Sequence, residues 1–405
     1  MVKPWDTATI GDFLGFKNGL NKGKEFFGYG TPIVNYTDVY KKRGLKKNDV
    51  RGKVSLTRDE IHRFDARKND VFFTRTSETP EEVGMSSVLL DDIDDCVFSG
   101  FVLRGRPKND MFVPEYCKYC FTTEAVRSAI IMGCTYTTRA LTSGKQLSAI
   151  EIVVPPKPEQ EAIAQSLTEI DDLISSLEKL IAKKNAVKQG AMQELLTGKR
   201  RLPGFEDEWN KCKLGSLGVF VKGTGISRNQ SNSGHLPAVR YGELYTKHQN
   251  YVTNYFSHVS EEVAANAQRV SRGDVLFAAS GETKEEIGKC AAIIHETDVY
   301  AGGDILIFRP ATQLDPVFMG TLLNTADVCK QRAEKGQGDA VVHIHADALS
   351  SINVMIPNIE EQQAIADILL GMDKEIELLE SKLAKYRQVK QGMMQQLLSG
   401  KIRLV

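Results

Sequence analysis

The stretch LSAIEIVVPPKPEQEAIAQSLTEIDDLISSLEKLIAKKNAVKQGAMQELLTGKRRL, residues 147–202, returns as LSSINVMIPNIEEQQAIADILLGMDKEIELLESKLAKYRQVKQGMMQQLLSGKIRL at residues 349–404. The copies align without a gap at an offset of 202, and about half of their positions are identical. A gapless repeat of this length means duplicated structure, since loops otherwise accept insertions. Both copies are helical by period. Ile163, Leu167, Ile170, Ile174, Leu177 and Ile181 form a heptad seam in the first. Ile365, Leu369, Met372, Ile376, Leu379 and Leu383 form it in the second. Seven-residue spacing is the signature of a coiled coil. Pro158 suits a first helical turn, and Asn358 followed by Glu361 reads as a capping box. Gly198 and Gly400 stand where a C-terminal cap belongs. Each helix should run about 40 residues, roughly 60 Å at ~1.5 Å per residue.

The sequence ahead of each helix is related more loosely. Trp5 pairs with Trp209, Tyr36 and Tyr40 with Tyr241 and Tyr245, and Asn69-Asp70-Val71 with Gly273-Asp274-Val275. The run at 77–84 pairs with that at 281–288, and between these islands the halves diverge. The order is therefore 1–154, a variable domain; 155–202, a constant helix; 203–356, a second variable domain; and 357–405, a second constant helix. Each seam needs a partner. Pairing of the two copies, antiparallel, would hold the variable domains at opposite ends, and homodimerisation through the seams is the alternative. The variable domains read as mixed α and β, so the fold class is α+β: two mixed domains joined by two long helices in an antiparallel coiled coil. Strands are expected near 87–90, 101–103, 150–155, 275–277, 305–308 and 352–357, and helices over 112–131 and 317–332.

Composition sets limits. The chain has 405 residues, enough for two cored domains and extended helices, and its net charge is zero. A free-standing nucleic-acid binder would have a pI above ~9. No apolar run is long enough for a membrane span, and no signal segment opens the chain. Seven scattered cysteines argue for free thiols in a cytoplasmic setting.

Several motifs together resemble the specificity subunits of type I restriction–modification systems. They are Pro-Glu-Gln-Glu-Ala-Ile-Ala at 158–164 and Glu-Glu-Gln-Gln-Ala-Ile-Ala at 360–366; Leu-Leu-Thr-Gly-Lys-Arg-Arg-Leu-Pro-Gly-Phe at 195–205; Leu-Leu-Ser-Gly-Lys at 397–401; and the run at 69–84. The resemblance spans the whole length. It implies two target-recognition domains, each reading half of a bipartite site in double-stranded DNA. It also implies that the helices act as a ruler and dock two methyltransferase subunits, with restriction subunits joining. Cofactors would sit in the partners, S-adenosylmethionine with the methyltransferase and ATP with Mg in the restriction subunit, and none in this chain.

The chain's motifs point away from catalysis. Pro155-Pro156 follows Val and precedes Lys, unlike the Asn/Asp-Pro-Pro-Tyr/Phe run of an amino-methyltransferase. No Walker-type phosphate loop occurs. Asp274, Glu282 and Lys284 are spaced like a nuclease site, but the first copy has Pro80 in place of the lysine, so an exposed turn is the better reading. His343 and His345 should share a strand face and are too few for structural zinc. Cys117 and Cys120 read as buried thiols. The alternatives are a fused enzyme and a scaffold without a DNA role.

Candidate DNA contacts in the first half are Lys41, Lys42, Arg43, Lys46, Lys47, Arg51 and Lys53, a basic run able to straddle phosphates. Arg75, Thr76 and Ser77 follow a strand and could face a groove. The second half offers Arg240, Tyr241, Lys247 and His248, with Ser280 matching the first copy. Arg228, Asn229, Gln230 and Asn232 can read base edges, since arginine suits guanine and the amides suit adenine.

Overall fold

The computed structural model describes residues 4–338 and 341–405. The chain divides into two units, one of residues 1–178 with 381–405 and one of residues 179–380. Each unit therefore holds one variable domain and half of each long helix. The helices span Lys157–Leu195 and Ile359–Leu397. Both end as expected, with Gly198 at φ 67° and Gly400 at φ 69°. An indole lies over each glycine. A Cβ on Gly400 would meet the Trp5 ring at 3.1 Å, and one on Gly198 the Trp209 ring at 3.5 Å. The left-handed backbone favours glycine at both positions, and at Gly400 the ring leaves little room for a side chain besides.

Within each unit the helix segments run antiparallel. In the first unit Asp171 pairs with Lys390, and Glu178 with Arg387 at 2.7 Å. In the second unit Lys184 pairs with Glu375 at 2.7 Å, and Lys188 with Asp373. Partner numbers fall as the central helix advances. The charges along each helix explain this register. Residues 157–178 carry one Lys and six acidic groups, and 359–380 carry one Lys and seven. Residues 179–200 carry six basic groups and one Glu, and 381–402 carry five basic groups and no acid. Antiparallel pairing lays acidic halves on basic halves, whereas a parallel pair would oppose like charges. The seam is apolar as expected: Ile163, Leu167, Ile170 and Leu177 are buried, as are Ile365, Leu369, Ile376 and Leu383, with Ile174, Ile181, Met372 and Leu379 half-buried.

The repeated Glu-Gln pair ties each helix start to its domain. Gln160 accepts from the Val113 amide at 2.9 Å and donates to Met111 and Pro155 carbonyls at 3.0 and 2.8 Å. Gln362 repeats this with Asp315 and Pro357. Glu361 is buried and receives both ends of the Arg201 guanidinium at 2.7 Å, plus the Trp209 indole N–H at 3.1 Å. Its counterpart Glu159 accepts the backbone amides of Leu404 and Val405 at 2.8 and 3.1 Å. These groups explain why the motif recurs.

Each variable domain has the same five-stranded sheet. In the first unit the order is Leu14–Asn18, Val102–Pro107, Val71–Thr74, Ser86–Leu89 and Gly44–Leu45. In the second it is Gly218–Lys222, Ile305–Pro310, Val275–Ala278, Cys290–Ile293 and Tyr251–Val252. Only the last pair of each sheet is parallel. The middle strand is buried on both faces: Val71 and Phe73 join one core and Phe72 another. A strand covered twice reads as an unbroken apolar run. The turn before it uses Asn69 at φ 73° and Gly273 at φ 97°. Asp70 and Asp274 close that turn, accepting the Arg67 and Ser271 amides at 2.8 and 3.1 Å. Two short strand pairs, Asp6–Thr9 with Glu151–Val154 and Asn210–Lys213 with Asn353–Ile356, each fasten a domain's start to the strand that feeds its helix.

The expected strands fall close to those observed. The expected helices over 112–131 and 317–332 do not survive whole. The first is Pro114–Cys117, a 3-10 turn and Glu124–Gly133; the second is Pro316–Leu322 and Ala326–Lys335. Thr123, extended at ψ 151°, breaks the first run and caps the next helix through the Val126 amide. Thr325, likewise extended at ψ 155°, breaks the second. β-Branched threonine favours such a cap over a helix interior. No helix among the described residues is long and apolar enough to cross a membrane.

Candidate nucleic-acid interface

The basic run of the first domain is only partly free. Lys42 is ion-paired with Asp49, and the Lys46 and Lys47 amides donate to Asp49 and Asp91 at 2.9 and 2.8 Å. These carboxylates fix the turn while the lysine side chains remain exposed. Lys41, Arg51 and Lys53 are also exposed. Arg43 instead turns onto the terminal helix, 3.2 Å from the Met394 sulfur. It serves the scaffold.

A different feature gathers distant residues. Tyr36, Tyr40, Thr76, Ser77, Glu78, Glu82, Phe101 and Arg139 line an open cleft of about 440 Å³ in the first unit. The helix Tyr36–Lys41 brings its two tyrosines together, stacked at 5.7 Å and 14°. Glu82 crosses the cleft, accepting the Tyr40 hydroxyl at 2.7 Å and the Ser77 hydroxyl at 3.1 Å. That hydrogen bond and the carboxylate's charge push the Tyr40 hydroxyl pKa above its usual value. The Arg75 amide bonds the Phe101 carbonyl at 2.9 Å, and Thr142 bonds Arg75 at 3.0 Å, which sets Phe101 and the strand Ala140–Leu141 beside Thr76 and Ser77. Phe101 is 58% exposed, so its ring face is available at the edge of the cleft. Aromatic faces can stack on bases or wedge a base step, while glutamates accept from amino groups of cytosine. Thr76 and Ser77 from the sequence reading are in this cleft, and Arg75 is half-buried behind it.

Phe101 and Arg139 carry no repeat signal and no motif that would mark them in the sequence. Glu82 did leave one, since Glu286 repeats it. A second missed feature is the start of the strand Phe27–Val34 and the turn before it, where Phe26, Phe27 and Tyr29 are exposed near Lys22 and Lys24. The Lys22 ammonium lies 4.7 Å from the Phe26 ring centre and is paired with Glu60 at 2.6 Å.

In the second unit, Arg228, Asn229 and Asn232 are exposed in the corresponding loop, ahead of the strand Leu236–Val239. Gln230 folds back to accept the Ser227 amide at 3.0 Å. Tyr241 is 42% exposed. The Lys247 ammonium sits 5.3 Å from the exposed Phe256 ring, and the Arg240 amide donates to Glu243 at 3.3 Å. Ser280 is nearly covered; its hydroxyl meets His343 Nδ1 at 3.1 Å, and its carbonyl accepts the Tyr245 hydroxyl at 3.0 Å. His248 is buried, and burial pushes its pKa down to about 4, so it stands as a neutral core ring and not at the surface. His343 and His345 do not share a strand, because the strand stops at His343 and His345 begins a helix. Thus the first unit has Tyr-Glu-Ser chemistry where the second has Tyr-Ser-His on the same backbone.

The nuclease-like spacing dissolves. Asp274 is buried and bound by Arg309 at 3.0 and 3.2 Å, as Asp70 is by Arg106. Cys117 and Cys120 are buried, and burial raises the Cys120 thiol.

The sequence matches the family described as the type I restriction modification DNA specificity domain twice, over residues 2–189 and 206–386. The chain belongs to that family. Among relatives, the MjaVIII specificity subunit of Methanocaldococcus jannaschii is 23% identical, covering 99% of this chain and 93% of its own. The EcoKI specificity subunit of Escherichia coli is 26% identical over 41% of this chain and 35% of its own. The fold is shared with the crystal structure of a type I S subunit from M. genitalium, TM-score 0.58 at 14% identity, covering 97% of this chain and 96% of that one. A structure described as underlying complex assembly of a type I system matches at TM-score 0.59 and 15% identity, covering 98% of each.

Proposed function

We propose that this chain is the non-catalytic DNA-recognition subunit of a type I restriction–modification complex, each variable domain reading one half of a bipartite, asymmetric site in double-stranded DNA. The observation that carries this reading is the pair of matching domains whose equivalent tyrosines are bonded differently: Tyr40 donates to the Glu82 carboxylate in one and Tyr245 to the Ser280 carbonyl in the other. A scaffold conserved in backbone and divergent at one surface suits two readers of different half-sites. The paired helices set the spacer and dock two methyltransferase subunits, and restriction subunits join the assembly. S-adenosylmethionine, ATP and Mg belong to those partners and none is held by this chain. Zero net charge implies that partners supply much of the phosphate neutralisation, so their binding should raise DNA affinity and steepen its salt dependence.

The test is exchange of residues 1–154 with those of a relative, followed by methylome sequencing of cells carrying each chimaera. One half-site should change and the other stay. Both changing together would refute independent readers.

A further inference from the structure

The loops after the two middle strands, residues 77–84 and 281–288, lie against equivalent helices, Glu124–Gly133 and Ala326–Lys335. The helices correspond at an offset of 202 (326 minus 124), so Arg127 matches Cys329 and Ile130 matches Arg332. A Cβ on Gly84 would meet Ile130 at 2.7 Å and the Arg127 guanidinium at 3.6 Å, and one on Gly288 would meet Arg332 at 3.1 Å. In each unit one guanidinium donates to the backbone of its loop. Arg127 reaches the Glu81 carbonyl at 2.8 Å, and Arg332 the Gly288 carbonyl at 2.6 Å. In the second unit the arginine stands about one helical turn further along, on the same face. The carbonyl it holds lies at the loop's end and not in its middle.

Packing explains neither arginine. Arg332 is 2% exposed and Arg127 is half-buried, and neither forms an ion pair among the described residues. Burial alone lowers the Arg127 pKa, with no carboxylate to offset it. A buried charge without a counter-ion is costly. The fold does not need one here. In the place of Arg332 the first unit buries Ile130, and in the place of Arg127 the second has Cys329. What each guanidinium adds is its N–H donors, which isoleucine lacks.

The loops differ as their ties do. In the first unit the Thr74 hydroxyl also donates to the Glu82 carbonyl at 3.2 Å, so two adjacent residues are fastened and the Glu82 carboxylate faces Tyr40 and Ser77. In the second unit Ala278 replaces Thr74, and among the described residues no side chain holds the middle of the loop. Residues 282–286 are exposed there, and the carboxylate of Glu286, the counterpart of Glu82, accepts no hydrogen bond among the described residues.

We infer that Arg127 and Arg332 are positioning residues for base recognition, each setting the shape of a reading loop from beneath it. Arg127 keeps the Glu82 carboxylate in the cleft, where it can accept from a base amino group. Arg332 anchors only the loop's end and leaves residues 282–286 projecting. The turn of helix that carries the arginine thus helps decide which half-site each unit reads. The inference rests on the DNA-recognition reading and assigns part of its specificity to side chains below the reading surface.

The experiment uses the full chain in the assembled complex, with base preference at both half-sites read from the methylome and from competition binding. Arg127→Cys and Arg332→Ile each install the residue that the other unit carries. Arg127→Cys should lower discrimination at the first half-site about tenfold or more and leave the second intact, and Arg332→Ile should do the reverse. Arg127→Lys, which keeps the charge and a donor, should recover most of the loss. A second readout separates positioning from packing. Followed by NMR of isotope-labelled tyrosine, assigned with Tyr40→Phe, the Tyr40 hydroxyl should titrate nearer its ordinary value in Arg127→Cys, because Glu82 leaves it; a packing role alone would not move it. Unchanged half-sites in both variants would overturn the inference and leave the recognition reading standing. So would a change at both half-sites from either single variant. Failure of a variant to fold would make its arginine a packing residue, which also overturns the inference. A wild-type complex without sequence preference would overturn the recognition reading as well.

Discussion

Lys188 and Asp373 in the second unit carry the charge pattern that sets helix direction, and exchanging them tests it. Their side chains are 13% and 28% exposed, and Asp373 also accepts the Tyr251 hydroxyl at 2.5 Å. Two unit charges ~4 Å apart attract by about 4 kcal/mol at an effective dielectric of ~20. Desolvation offsets part of this, leaving a coupling of about 1–2 kcal/mol for a partly buried, hydrogen-bonded pair. Lys188→Glu sets two carboxylates against each other and should cost about 2–3 kcal/mol. Asp373→Lys should cost as much, since it also strands the Tyr251 hydroxyl, whose pKa burial and this carboxylate now raise. The double exchange should recover the coupling energy in a double-mutant cycle read by urea unfolding, with hydrogen exchange at the helices reporting the second unit. The neighbouring pair Lys184–Glu375, 36% and 49% exposed, serves as the control. Its cycle should give about 0–1 kcal/mol. A Lys188–Asp373 coupling below about 0.5 kcal/mol, or one equal to the control, would refute the view that these charges direct the pairing.

Burial of neutral His248 should make the second unit acid-sensitive. Its folded pKa of about 4 lies below the ordinary 6.5, so between those values the unfolded chain binds the extra proton. Stability is therefore lost as pH falls from about 6.5 towards 4, by at most about 3 kcal/mol at ~1.4 kcal/mol per unit. Equilibrium unfolding against pH should show this loss, and His248→Gln should flatten it in that window. In the first unit, Phe101→Ala removes an exposed side chain and should change stability by less than about 0.5 kcal/mol. DNA affinity at the first half-site should nevertheless fall by about 1–3 kcal/mol if the ring stacks on a base; unchanged affinity of the assembled complex would remove Phe101 from the interface. Glu82→Gln keeps the cleft's shape, and relaxed base preference at that half-site, read from methylation, is the expected result.

Much of the architecture was legible because it is local or repeated. The heptads, the glycine caps, the Asn358 cap and the duplicated islands all state themselves within a few residues, and the helices form where they predict. Antiparallel direction was legible too, in the acidic first halves and basic second halves, though seam spacing alone does not reveal it. Surface basic residues were a poorer guide. A lysine run looks the same whether its members face solvent, pair with Asp49 or, like Arg43, lie against a helix 351 positions away. Local rules also ran separate short helices into one across the extended residues Thr123 and Thr325.

By itself, the sequence determined the family, the doubled plan and the two helices, since periodicity and turn chemistry act over short separations. Tertiary structure decided how each unit combines one domain with halves of both helices, and why Glu361 needs Arg201 from the far end of the other helix. It also decided the cleft, whose residues from Tyr36 to Arg139 meet only through sheet pairing. Strand partners are chosen by which apolar faces can be buried together, and that choice is made across the whole domain rather than along the chain.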